Sequence, residues 1–323
     1  MLSRVADSLY WLSRYLERAE HTARVAGVHL NLVPEQPAEM NLGRWARVIQ
    51  SLGIEETGTA PLGTSNVLDM ICYNPASRPS VVHCVMAARF NARQVREEIS
   101  SEMWEQMNRL YHQVVGADPT INSDADHLAF LDKVKEGAQH FMGMTDSTMT
   151  HGEGWRFIEL GRYLERAQSI ARLLETHLTH FEANFNAPGE EPDALPYPEW
   201  IGLLKSATAF EAYCKVHTPA VLPRLVADFL VLSDRFPHSV RFSLDRVYGA
   251  LAAIAENAPS QRGQTVVRVA GRQRAMLGYS QIDELLGQGL GPALASIREE
   301  CDAVHSGLHQ AFIGYPVEAA LGV

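Results

Sequence analysis

Apolar residues recur along this chain with the spacing of a helix. Val5, Leu9, Leu12, Leu16, Ala19, Ala23, Ala26 and Leu30 stand at i, i+3, i+4 and i+7, which gathers them on one helical face. The pattern predicts a helix from about residue 3 to about 32, stopped by Pro34, whose ring cannot continue it. The same period fills most of the sequence, and it predicts one unbroken helix over 88–111. Alternating β-branched runs flanked by hairpin turns are nearly absent. The best of them, QTVVRVA at 264–270, reads equally well as helix. Stretches rich in Pro, Gly and polar residues at 33–41, 55–64, 74–80 and 186–198 read as loops. Ser123 and Asp124 are placed to cap a helix through 125–143, and Thr218-Pro219 to open one through about 233. The fold class is all-α.

The hexapeptide RYLERA occurs twice, at 14–19 and 162–167. Laid over 155–180 without gaps, residues 7–32 match at eleven of twenty-six positions, among them His29/His177 and Leu30/Leu178. Asp69, Ser80 and Val81 meet Asp228, Ser239 and Val240 at a slightly longer offset, in the same order. Two copies with so long a period do not make a solenoid. They predict an internally duplicated helical bundle, with halves 1–147 and 148–323 related by a pseudo-two-fold axis and each opening on a long helix.

Within the repeated segment charge alternates with apolar residues. Arg14, Glu17, His21 and Arg24 share one side of the first helix at about 100° per residue, and Arg162, Glu165 and Arg172 form the matching row. Arg14–Glu17 and Arg162–Glu165 have i, i+3 spacing and Glu20–Arg24 has i, i+4 spacing, so each can pair along its own helix. A solvated ion row needs charge but not the same letters twice. The repetition of Arg, Glu and Arg points to buried ion pairs between long helices, or to a polar cleft where Arg forks grip a carboxylate. Arg18 and Arg166 project to another side, where Arg18 can stack on Tyr15 or Trp11. Glu159 stands where Trp11 is in the first copy, so the two arginine environments differ. Arg89 and Arg96 lie near the apolar side of their segment, which calls for carboxylate partners; Glu17 and Glu165 are the candidates. Glu98, Glu102 and Glu105 form a solvent-facing arc with Asn91.

The net charge of −10 leaves no basic stripe for nucleic acid. Cys72, Cys84, Cys214 and Cys301 form no C-x-x-C pair, which fits structural thiols in a reducing compartment, the cytoplasm. The amphipathic N-terminus lacks the apolar core of a signal peptide, and no stretch is long and apolar enough to span a membrane. Glu17, Glu20 and His21 could ligate a metal, but the second copy has Gln168 and Ser169 there, so neither metal nor other cofactor is expected. No phosphate-cradling G-x-x-x-x-G-K-[ST] loop and no G-x-S-x-G elbow is present. The glycines at 287, 289 and 291 read as a helix C-cap and loop. Cys84 beside His83 does not by itself make a nucleophile–base pair. Asp146 and Thr148 near Trp155 read as a capping arrangement or the edge of a site.

RYLERA in each half, TMTHGEGWRFIELGRYLERA at 148–167, ARFNARQVREEISSEMWEQMN at 88–108 and FPHSVRFSL at 236–244 resemble the alpha-E family, helical proteins with a Glu-Arg signature. The resemblance covers essentially the whole chain. It implies a partner, a circularly permuted ATP-grasp protein, which joins an activated carboxylate to an amine, and with it a role in making or modifying peptides or amides. It carries no catalytic residue. The expectation is an accessory subunit of such a ligase, with Arg14, Glu17, Arg18, Arg162, Glu165, Arg166, Arg89 and Arg96 as candidate substrate-binding residues and a homo-oligomer left open. The alternatives are an enzyme in its own right using the Arg/Glu rows and a purely structural adaptor.

Overall fold

The computed structural model describes residues 1–32, 38–54, 63–116, 123–181, 197–217 and 221–314, with backbone alone at 38–42. Among these residues every regular element is helical. Two long helices form the centre, α1 (Ser3–Leu32) and α7 (Glu153–Phe181). Met1 reaches Glu153, Tyr10 and Ser13 lie against Gly161, and Glu17 meets Arg166, so the two helices run in the same direction. Both are buried on nearly all sides, which requires other helices to enclose them.

The enclosing helices are α2 (Ala38–Ser51), α3 (Thr64–Leu68), α4 (Val81–Gln94), α5 (Ser101–Val115), α6 (Asp124–Thr148), α8 (Tyr197–Ser206), α9 (Phe210–Val216), α10 (Pro223–Leu232), α11 (Val240–Asn257), α12 (Gln261–Tyr279), α13 (Ile282–Gln288) and α14 (Leu290–Leu308). Helix α1 packs on α4 and α6, with α5 lying outside both; α7 packs on α11 and α14, with α12 lying outside both. Ser80 caps α4 and Ser239 caps α11, each accepting the N–H of the residue three ahead. Each of these hydroxyls also donates to a carbonyl six residues back, at Asn74 and Ser233. From the outer helices, buried Gln106 donates to the Gly137 carbonyl and buried Gln273 to that of Ile297.

The helix expected over 88–111 is two helices. Helix α4 ends at Gln94, the chain turns, and Ser100 caps α5 by accepting the Met103 N–H. The apolar period runs through the turn because Val95 and Ile99 are buried there as well, so periodicity alone hides the break. Helix α1 has the predicted extent, α6 is capped by Ser123 and runs on to Thr148, and QTVVRVA is helix within α12. Gly289, at φ +94, is the single joint between α13 and α14. The proposed cap at Thr218-Pro219 lies outside the described residues, and α10 begins at Pro223. No described helix is long and apolar enough to cross a membrane.

One residue sets how closely the two central helices approach. A Cβ on Gly161 would stand 2.3 Å from both the Tyr10 carbonyl oxygen and Ser13 Oγ. Helix propensity favours Ala over Gly by roughly 0.5–1 kcal/mol. The clash is with rigid backbone, and overpacking costs about 1–3 kcal/mol. Gly161→Ala is therefore expected to destabilise the protein by about 2 kcal/mol net in denaturant unfolding, whereas propensity alone would stabilise it.

Candidate functional site

The repeated Glu and Arg residues do not pair along their own helices. They cross between them. Arg166 grips Glu17 with its fork, Nε to Oε1 at 2.5 Å and Nη2 to Oε2 at 2.9 Å. Arg18 grips Glu165 in the same way, at 2.6 and 3.0 Å. Each motif thus gives its acid to the arginine of the other and its arginine to the other's acid. Glu17, Glu165 and Arg166 are all 5% exposed. Burial alone would raise the Glu165 carboxyl, but Arg18 and Arg14 beside it hold it down at about 2. Glu17 is likewise lowered, Arg166 outweighing burial.

Around this clasp the surroundings of the two RYLERA segments differ. Arg14 adds a third grip on Glu165, Nε to Oε2 at 2.7 Å, and donates to Gln168 and to the Tyr10 hydroxyl. The Trp11 ring lies 5.2 Å from its guanidinium. Arg162, at the same place in the second RYLERA, has Ile158 and Glu159 where Arg14 has Tyr10 and Trp11, and its guanidinium lies 5.2 Å from the Tyr163 ring. Arg162 Nε is buried without a hydrogen-bond partner, 3.9 Å from Glu17. Its Nη1 is 3.8 Å from Asp146, beyond hydrogen-bond range.

Arg162 faces a cavity of about 290 Å³ between α6, α7 and α11. Its walls include Asp146, His151, Trp155, Glu159 and Arg246. Glu159, only 5% exposed, accepts from Arg156 at 3.0 Å and from Arg246 at 3.4 Å. Burial raises its carboxyl above the usual range despite those two cations. His151 stacks on Trp155 with ring centres 4.2 Å apart.

The remaining sequence candidates lie elsewhere. Arg18 stacks over Tyr15 at 5.8 Å, as expected, but its fork joins Arg14 on Glu165. Arg89 and Arg96 do not reach Glu17 or Glu165. Arg89 donates to Asn108 and lies 4.3 Å from the Tyr111 ring, and Arg96 lies over Trp104 at 5.7 Å. The turn at 95–100 folds α5 back along α4, which brings these rings to the arginines. The central carboxylates are already held from the opposite helix. Glu98, Glu102 and Glu105 are exposed, and Glu20 pairs with Arg24. Asp146 and Trp155 do edge the cavity, while Thr148 bonds Ser100 and the Met144 carbonyl. Burial pushes the Cys84 thiol up to about 12, and His83 contacts the Pro75 carbonyl instead of the thiol. Among the described residues no group of three or more His, Cys, Asp and Glu side chains is placed to hold a metal.

A family model described as an alpha-helical domain with a conserved ER motif matches residues 1–313. The chain belongs to the Alpha-E family. An uncharacterized protein of Mycobacterium bovis is 22% identical over 314 residues, 91% of this chain and 34% of that protein. Two proteins of Mycobacterium tuberculosis, also uncharacterized, match over the same shares at 22% and 21%. The Alpha-E chain therefore spans about a third of the length of these relatives. No solved structure matches it. The Glu-Arg dipeptides of this chain, Glu17-Arg18 and Glu165-Arg166, are the four residues of the clasp.

Sequence reasoning did not assign Glu159, Arg246 or His151 to a site. The departure of Glu159 from its repeat partner Trp11 was the available signal. Arg246 and His151 carry none, since only the packing of α11 and the α6–α7 turn brings them to the cavity.

Breaking the clasp on one side leaves a buried charge. Glu17→Ala is expected to cost about 3–5 kcal/mol in denaturant unfolding. Glu17→Met with Arg166→Met should recover a substantial part, because an apolar pair leaves no uncompensated ion.

Acid should weaken the Alpha-E fold before these carboxylates protonate. Burial lowers His21 from 6.5 to about 4, and His29 and His177 to about 3. Unfolded, each ring takes a proton near pH 6.5; folded, it stays neutral to much lower pH. The stability they contribute is complete above pH 6.5 and lost as pH falls toward 4, of order 3 kcal/mol for His21. The melting temperature should fall across that window, and His21→Gln should flatten the slope.

Proposed function

We propose that this Alpha-E chain is an accessory component of an amide-forming ligase, holding a carboxylate-bearing substrate while an ATP-grasp partner activates and joins it. The observation that carries this reading is the distribution of arginine forks. At Arg14, Arg18 and Arg166 they are occupied by the protein's own carboxylates, whereas Arg162 is left beside a cavity. Such a site can hold a substrate but has no nucleophile activated by a neighbouring base. The ATP-grasp partner itself comes from the family resemblance. In the mycobacterial relatives the matched region is 34% of a longer polypeptide, which fits a domain that works beside other machinery. Reaction with ATP also fits the cytoplasm, as do four cysteines without disulfides.

The same reading includes an internal duplication with halves 1–147 and 148–323. The reciprocal clasp, the matching neighbours of α1 and α7, and the Ser80 and Ser239 caps support it. In this view one copy keeps an aromatic neighbourhood at Trp11, and the other has exchanged it for Glu159.

The test is amide formation by an ATP-grasp protein of the kind the family resemblance implies, assayed with and without this chain. Product formation is expected to fall at least about tenfold when the Alpha-E chain is omitted, a difference of about 1.4 kcal/mol in the barrier. The Alpha-E chain alone should neither hydrolyse ATP nor form product. Turnover by this chain alone would make it the enzyme, and full activity of the partner alone would remove it from the reaction.

A further inference from the structure

The cavity beside Arg162 carries charges of both signs in a defined arrangement. Three guanidiniums, Arg156, Arg162 and Arg246, surround two carboxylates, Glu159 and Asp146. Arg156 and Arg246 are taken by Glu159. Arg162 has only two long ion pairs, Nε to Glu17 at 3.9 Å and Nη1 to Asp146 at 3.8 Å, and no carboxylate within hydrogen-bond range. A closer acceptor in the cavity would improve on both. Arg246 holds Glu159 at 3.4 Å and is half-exposed, so it can turn one N–H to a second acceptor. Beside this polar cluster the wall is apolar, with Ile158, Met142 and the Trp155 ring.

We infer that this cavity binds a small zwitterion of the amino-acid class. The ligand's carboxylate bridges Arg162 and Arg246, and its ammonium group faces Asp146 and Glu159. This rests on the substrate-holding reading above and gives that substrate a chemical class and a place.

Charge and size both select such a ligand. A carboxylate is the planar acceptor that two guanidiniums take best. It supplies the partner that Arg162 lacks in this half and that Glu165 supplies to Arg14 in the other. The ammonium adds a cation next to Glu159, whose burial disfavours its ionised form. A volume of about 290 Å³ is room for roughly ten water molecules, at the low end of ligand pockets. One amino acid fits that space. The corresponding place in the first half offers a different chemistry. It is an apolar groove of Trp11, Tyr15, Met86 and Phe90, without a carboxylate to receive an ammonium. The inferred site therefore belongs to the second copy alone.

The experiment uses the full chain without any partner. Each proteinogenic amino acid at millimolar concentration is screened for a rise in melting temperature. The strongest stabiliser is then titrated calorimetrically beside its N-acetyl and C-amide derivatives. At least one amino acid is expected to stabilise the protein, and both blocked forms should bind about tenfold more weakly or worse, since each loses a charge-assisted contact. Arg162→Gln should weaken binding by a similar factor. Arg246→Gln should do the same, and its half-exposed side chain makes it the safer variant should Arg162→Gln misfold. Unchanged melting with every amino acid would overturn the inference. So would equal affinity for a blocked derivative, or Arg246→Gln binding as tightly as the parent. A negative result here leaves the partner-dependence assay free to succeed, and intact binding with no partner dependence would sink the ligase reading alone.

Discussion

The architecture depends on charge buried between two parallel helices. A carboxylate and a guanidinium taken out of water each lose several kcal/mol of hydration, and only close, forked pairing restores it. Glu17 with Arg166 and Glu165 with Arg18 meet that requirement twice within one turn of helix. The consequence is register. An apolar seam between α1 and α7 tolerates sliding, because one Leu or Ala contact resembles the next. A reciprocal pair of ion pairs does not, since a shift along the axis strands all four charges. Gly161 completes the constraint by letting the Tyr10 turn come close enough for the forks to reach. With the two central helices fixed, the places of α4 and α6 on one side and α11 and α14 on the other follow from their apolar faces.

The same interaction explains why the second half has a spare cation. Glu165 accepts from two arginines, but Glu17 accepts from one. Arg14 is drawn to Glu165 by company: a tyrosine hydroxyl, a glutamine amide and an indole face. Arg162 finds isoleucine and glutamate at the corresponding positions, and stays 3.9 Å from Glu17. Glu159 thus stands where Trp11 stands beside the first RYLERA, and it lies on the wall of the cavity.

Much of this fold was legible in the sequence. The period of the apolar residues gave α1 its limits, and the repeated hexapeptide marked the buried clasp, with Glu17 and Glu165 bonded to arginine. Pair geometry was less legible, because i, i+3 spacing makes Arg14–Glu17 within one helix look sufficient. The actual partners are about 150 residues away, at separations of 147 and 149, and no local rule reports them. The break at 95–100 was hidden for a related reason. Val95 and Ile99 continue the buried period through a turn that only the Ser100 cap betrays. Arg89 and Arg96 were read as needing carboxylates, and aromatic rings across that turn serve them instead. His151 and Arg246 could not be found at all, since they are neighbours of the cavity only through tertiary packing.

A signature that occurs twice and satisfies itself identifies a scaffold more readily than a site. The ER residues bond one another, Glu17, Glu165 and Arg166 are buried while Arg18 is partly exposed, and no fork turns outward at Arg166 or Arg14. On the proposed reading, a substrate site is to be sought where the two RYLERA segments have different neighbours. Among the differences in charge between the two aligned helix segments is Trp11 against Glu159, six residues before Glu17 and Glu165. Glu159 stands on the same cavity wall as Arg162, whose guanidinium has no carboxylate closer than 3.8 Å. The clasp then has a second role, since it holds Arg162 in place through the backbone it shares with Glu165 and Arg166. On the proposed reading, the backbone that carries Arg162 is ordered by the clasp before a ligand arrives, which lowers the ordering cost of binding.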